Sequence, residues 1–185
     1  GLSRVRSFTQ DDSHAFVAQD QIKQVASELV EASAEMYNVF GMKLSFRLSF
    51  RDDSEGYLGD TQLWQRAQSQ IEELAKENKL DYYIEEGEAA FYGPKIDFMA
   101  TDAIGRQWQV ATVQLDFVQP ERFGLDYINS DGQPEQPVMI HCALLGSLER
   151  FLSVYIEHTA GRFPVWLAPE QIRVITVNQT DPIVN

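Results

Sequence analysis

Residues 95–117 read KIDFMATDAIGRQWQVATVQLDF, and this stretch decides the fold. Two long strand-like runs, KIDFMATDAIG and RQWQVATVQLDF, meet at Ala103-Ile104-Gly105, which supplies a turn. Adjacent strands joined this tightly predict an antiparallel hairpin. Alternation puts Trp108, Thr112 and Gln114 on one face of the second strand. It puts Gln109, Ala111 and Val113 on the other, unless a bulge intervenes. Uncharged amides and a hydroxyl on a central strand suit reading a small polar ligand. The plain alternative is the wet face of a sheet.

Outward from the hairpin, apolar residues recur at three- and four-residue steps. Ile22, Val25, Ala26, Leu29, Met36, Tyr37 and Phe40 predict a helix over 20–40, with Asp20 as N-cap and Gly41 as stop. Leu63, Ala67, Ile71, Leu74 and Ala75 predict a second over 61–78. Leu44, Phe46, Leu48 and Phe50 alternate with polar residues, as a half-buried strand does. Short strands are expected at 81–84 and 138–144, and extended backbone over 4–17. A helix over 147–159 is apolar on most sides and is expected to be central. Pro164 and Pro169 mark a linker, and 171–177 reads as the first strand of another unit. The order is α+β with a largely antiparallel sheet. Neither GxGxxG nor GxxxxGK[ST] occurs, which excludes a Rossmann or P-loop nucleotide site.

The chain has 185 residues, enough for a real core. Lys and Arg number 15 against 28 Asp and Glu, a net charge of −13. A freestanding nucleic-acid binder carries a basic footprint, so any such contact here is local or made by other parts. No apolar run approaches the ~20 residues of a membrane span, and no membrane partner is expected. A single cysteine, Cys142, excludes an internal disulfide and fits a reducing cytoplasm.

Four polar clusters stand out: residues 4–14, 91–97, 108–117 and 141–150. In the last, a strand bearing His141 runs through Gly146 into a helix, and glycine there lets a flat ligand approach the backbone. Arg150 lies in the first helical turn, against the helix dipole. It meets either a ligand or an acid such as Glu149. His14 and His141 each sit on or beside a strand, and most such histidines are satisfied or exposed rather than metal-bound. His158, near a helix end, is read as a favourable C-terminal charge or a surface residue.

Five collinear pieces then carry a resemblance. They are RVRSFTQDDSHAF (4–16), FYGPKIDF (91–98), WQVATVQLDF (108–117), PVMIH-ALLGSLERF (137–151) and FPVWLAPEQIRV (163–174). Together they resemble the catalytic domain of the threonyl-tRNA synthetases, a class II synthetase family. The resemblance implies a class II antiparallel sheet flanked by helices. It implies a catalytic domain over 1–168 and the start of an anticodon-binding domain over 169–185. Arg4 matches an arginine that meets ATP phosphate, and Arg150 one that lies over adenine; these are the catalytic candidates. Gln109, Thr112 and Gly146 complete the ATP set. Gln10, Asp12, Tyr92, Lys95 and Gln114 fall on the threonine side. His14 and His141 match two zinc ligands, whose imidazoles are then expected within a metal's reach of each other.

The implied cofactors are one Zn²⁺ and the Mg²⁺ that accompanies ATP; the implied partners are ATP, L-threonine and tRNA(Thr), with a homodimer in the intact enzyme. The family's third zinc ligand is a cysteine upstream of Gly1. Its dimer-forming motif and the first half of its phosphate-binding motif also lie upstream, so this stretch alone is expected to be inactive. Alternation points Cys142 away from His141, against its serving as a substitute ligand. Val110-Ala111 stands where the family commonly has Cys-Gly. The alternative function is a non-catalytic, synthetase-like binding or regulatory module.

Overall fold

The structure is a computed structural model and describes residues 1–175. In chain order the elements are β1 (Ser13–Val17), α1 (Ile22–Val39), β2 (Leu44–Phe50), α2 (Thr61–Glu77), β3 (Tyr82–Glu86), β4 (Lys95–Thr101) and β5 (Gln107–Asp116). There follow α3 (Gln119–Arg122), β6 (Tyr127–Ile128), β7 (Pro134–Glu135), β8 (Val138–Ala143) and α4 (Leu148–His158). Six strands form one sheet in the order β1-β8-β5-β4-β2-β3. All its pairings are antiparallel except β2 with β3, which is parallel. The expected hairpin is β4–β5.

Alternation divides the sheet into two chemistries. Leu48, Ile96, Phe98, Val113, Leu115, Ile140 and Cys142 bury one face in the core, against Ala26, Val30 and Tyr37 of α1 and Ile71, Leu74 and Ala75 of α2. Burying such side chains contributes about 1.5–3 kcal/mol each, and this sets the register. The opposite face is polar. One cross-strand row reads His14, His141, Gln114, Lys95, Ser49 over β1, β8, β5, β4 and β2. The next row reads Ala143, Thr112, Asp97, Arg47. Residues far apart in sequence thus become neighbours at strand spacing.

Some expectations need correction. Asp20 is not the N-cap of α1: it lies in a 3-10 turn over Gln19–Gln21, and Gln21 takes the cap position. Extended backbone over 4–17 narrows to β1 and an isolated bridge from Gln10 to Ser147, because residues 4–7 bend. Helix α4 is not central. Phe151, Val154 and Tyr155 are buried, but Leu152 and Ile156 stay 40% and 39% exposed. Only one stripe of α4 meets the core, so apolar content overstated its burial. Residues 171–175 form no strand, and the rest of that expected strand and of the unit over 169–185 lies outside the described residues.

Candidate active site

The first part of the site is a cleft of about 350 Å³ over residues 109–112 of β5. Arg4, Gln10, Gln109, Thr112, Gly146 and Arg150 all line it. Val5 and Phe8 add apolar wall, which the sequence reading missed although both sit in a polar run. The cleft depends on a β-bulge. Phe98 pairs with Ala111 and Met99 with Gln109, so Val110 is the extra residue. The bulge overturns the alternation that set Gln109 apart from Thr112 and Gln114, and brings all three to the polar face. Gly146 closes the floor. It has φ +61°, and a β-carbon there would stand 2.7 Å from the Val110 carbonyl oxygen.

The residues that hold the cleft's rim come from both ends of the chain. The Asp11 carboxylate accepts hydrogen bonds from the Leu144 and Leu145 amides at 2.6 and 3.1 Å. Glu149 accepts from the Thr9 amide at 3.0 Å. Arg150 therefore does not use Glu149 as its partner. Its Nε donates to the Ser3 carbonyl at 3.3 Å and its Nη1 to the Gln109 carbonyl at 3.4 Å. Ser147 caps α4, its hydroxyl accepting from the Arg150 amide. Two guanidinium groups thus converge on a cleft with no carboxylate among its lining residues, an arrangement suited to an anionic ligand.

The second part adjoins the first on the same face. His14 and His141 face each other across β1 and β8, ring centroids 4.6 Å apart and nearly edge-on. Tyr92 stacks on His141 at 4.6 Å. Asp116, fully buried, lies with Oδ2 2.9 Å from His141 Nε2 and fixes the ring. Asp12 Oδ1 lies 3.9 Å from His14 Nε2. The Tyr92 hydroxyl donates to Gln114 Oε1, and Gln114 Nε2 donates to Thr112 Oγ1 at 3.2 Å. Burial, then the nearby Asp116 and Asp12 carboxylates, push the Tyr92 hydroxyl up to about 12, so it remains a donor at neutral pH. Two converging imidazoles, one oriented by a carboxylate, suit part of a zinc site. Among the described residues no group of three or more His, Cys, Asp and Glu is placed to hold a metal. Cys142 lies on the core face, and burial pushes its thiol up to about 11.

Asp97 and Asp116 fall inside two of the polar clusters, but neither carried a role of its own in the sequence. The available signal was an acid inside an otherwise apolar strand, which is tolerated only when paired. His158 sits in the last turn of α4, where a positive charge suits the helix dipole.

Comparison with known proteins bears on the family and the fold. The chain is 49% identical over 180 residues to a threonine–tRNA ligase of Gloeobacter violaceus, covering 96% of this chain and 29% of that protein. The chain thus spans less than a third of that relative's length. A threonyl-tRNA synthetase domain from Cryptosporidium parvum, described as RNA-binding, superposes with a TM-score of 0.86 at 39% identity, covering 91% of this chain and 42% of that one. A seryl-tRNA synthetase from Pyrococcus horikoshii shares the fold, with a TM-score of 0.58 at 10% identity over 85% of this chain and 28% of that one. Residues 1–159 match the tRNA synthetase class II core domain (G, H, P, S and T), and the chain belongs to that family.

Proposed function

We propose that this chain is the catalytic part of a threonine–tRNA ligase, which activates L-threonine with ATP and transfers it to tRNA(Thr). The observation that supports this best is adjacency. The cleft holding Arg4, Gln109, Thr112, Gly146 and Arg150 shares one sheet face with the His14–His141 pair, joined by Gln114 and Thr112.

In this reading ATP enters the cleft as its Mg²⁺ complex. Gly146 leaves room for the adenine, Arg150 lies over it, and Gln109 and Thr112 hold the nucleotide. Gln10, Asp12, Tyr92, Lys95 and Gln114 surround threonine, with Asp12 receiving its ammonium. A threonine carboxylate oxygen attacks the α-phosphorus and pyrophosphate leaves. Arg4 and Arg150 balance the charge that develops, so positioning and electrostatics carry the step and no side chain acts as nucleophile. A tRNA hydroxyl then takes the acyl group from the adenylate, releasing AMP.

His14 and His141 would hold zinc with a third ligand from outside residues 1–185, and the metal would supply open positions for threonine's amino and hydroxyl groups. A site that demands a hydroxyl rejects valine far more strongly than a shape-only pocket does. The same reading assigns 1–168 to the catalytic domain and 169–185 to the start of an anticodon-binding domain. It also gives the whole protein a homodimeric state and a cytoplasmic location. The presence of Arg4, Asp12, His14, His141 and Arg150 together argues against a non-catalytic module.

The test is amino-acid-dependent ATP–pyrophosphate exchange by the full-length protein. Threonine is expected to support exchange, with serine weaker and valine weaker still. Exchange with another amino acid and none with threonine would overturn the reading.

A further inference from the structure

We propose that Asp97 is the positioning residue that sets both halves of this site, an inference that rests on the functional reading above. Asp97 lies in β4 and is fully buried. Its two carboxylate oxygens divide the site between them. Oδ1 accepts from Gln109 Nε2 at 2.8 Å and from Thr112 Oγ1 at 3.0 Å, the two amide and hydroxyl groups of the nucleotide cleft. Oδ2 accepts from Ser49 Oγ at 2.7 Å and Arg47 Nη2 at 2.9 Å, and lies 3.1 Å from Lys95 Nζ on the threonine side.

A carboxylate is acceptor-only, so it fixes the direction of every bond it joins. Thr112 must spend its proton on Asp97, which leaves its lone pairs to accept from Gln114 Nε2. That in turn orients the Gln114 amide, whose oxygen accepts from the Tyr92 hydroxyl beside His141. The chain of donors runs Tyr92, Gln114, Thr112 and ends on Asp97. Gln109, with one N–H committed to Oδ1, keeps its carbonyl oxygen and a second N–H for the cleft. The bulge at Val110 is what lets Oδ1 reach Gln109 and Thr112 together. Arg47 and Lys95 offset the buried negative charge, and Glu85 and Glu88 hold Arg47 from the rim at 3.2 and 3.3 Å.

An amide at this position offers one acceptor oxygen and presents N–H groups to donors. Either the Oδ1 pair or the Oδ2 trio loses its partner, and the direction of the chain is no longer fixed. Asp97→Asn is therefore expected to raise KM for ATP and KM for threonine together, each by about 10–100-fold, the usual penalty for losing an orienting partner. A merely structural role would lower the active fraction and hence apparent kcat, leaving both KM values unchanged.

The experiment is steady-state pyrophosphate exchange on full-length wild-type protein, Asp97→Asn and Ser49→Ala, with circular dichroism and thermal unfolding on each. Ser49→Ala removes one donor to Oδ2, and Ser49 neither lines the cleft nor belongs to the residues assigned to threonine, so it carries the test if Asp97→Asn does not fold. It is expected to show the same joint rise at smaller amplitude, roughly two- to ten-fold, the worth of one hydrogen bond. Joint KM increases in a folded variant support the assignment. A folded Asp97→Asn with both KM values unchanged would overturn it, as would unchanged KM values in Ser49→Ala when Asp97→Asn does not fold. Wild-type protein without threonine-dependent exchange would instead sink the functional reading itself.

Discussion

Asp97 and Asp102 belong to the same hairpin, and both are buried acids that gather an arginine and a β5 side chain. Their partners differ. Asp102 closes on its own neighbourhood: Oδ1 accepts from the Ile104 and Arg106 amides, and Oδ2 from Arg106 Nε and Trp108 Nε1 at 2.6 and 2.9 Å. Arg106 also lies over the Trp108 ring at 5.2 Å. Every bond serves the turn. Asp97 takes its hydrogen-bond donors from the two neighbouring strands β2 and β5, and two of those donors, Gln109 and Thr112, line the open cleft. An acid satisfied within its own turn fixes a loop. An acid satisfied across a sheet leaves organised polar groups on a surface, which is what a binding site requires.

The contrast can be pressed hardest at the cleft. Arg150→Ala in the full-length protein is expected to slow threonine activation by about 10²–10³-fold, the usual worth of a fixed charge-stabilising group. It is also expected to keep the preference for threonine over valine, because the proposed function puts Arg150 on the nucleotide side. Arg106→Ala, at the hairpin tip, is expected to leave the activation rate unchanged. Exchange assays on both variants check this.

Glycines sharpen the same comparison. Gly146→Ala combines a left-handed backbone with a β-carbon 2.7 Å from the Val110 carbonyl, a combined cost of roughly 2–5 kcal/mol, and ATP binding is expected to weaken. Gly105→Ala, at φ +85° in the turn, meets nothing within 4 Å and is expected to cost only the backbone strain, about 1 kcal/mol. Denaturant unfolding gives both values, and ATP titration separates the cleft from the tip.

The smallest effect concerns pH. Burial alone would raise the Asp102 carboxyl. The hydrogen bonds from Trp108 and from the Arg106 backbone and guanidinium outweigh burial and hold it well below the usual carboxylate range. A carboxylate depressed in the folded state stabilises above its unfolded value of about 3.9, and that contribution is lost as pH falls through the folded value. The stability gap between wild type and Asp102→Asn is therefore expected to be constant near neutrality and to shrink below about pH 4. Thermal unfolding across that range measures the gap.

Much of the fold was legible because periodicity and burial agreed. Helices α1 and α2, strand β2 and the β4–β5 hairpin follow from apolar spacing alone, and Gly41 ends α1 where it was expected to. The bulge was not legible. Val110-Ala111 has no residue type that demands an extra residue in the strand, so alternation sent Gln109 to the wrong face. Parallel pairing of β3 with β2 depends on tertiary contacts that no local pattern encodes. The polar cluster 4–14 stood out in the sequence, and it reaches the site: Gln10 bridges Ser147 and Asp11 grips the loop before Gly146. Asp97 carried no role in the sequence because it shows there as a single acid of the cluster 91–97, whereas its meaning lies in donors brought from β2 and β5.

In the proposed function the imidazole pair reads the amino acid while the cleft reads the nucleotide. The direct measurement is pyrophosphate exchange with threonine and with valine by full-length His141→Ala, with zinc content determined on the same sample. Lost zinc and a collapsed preference for threonine are expected, since nothing then makes the missing hydroxyl of valine costly. A His141→Ala protein that keeps its zinc and its discrimination would contradict this reading, and His141 would then be a structural histidine packed against Tyr92.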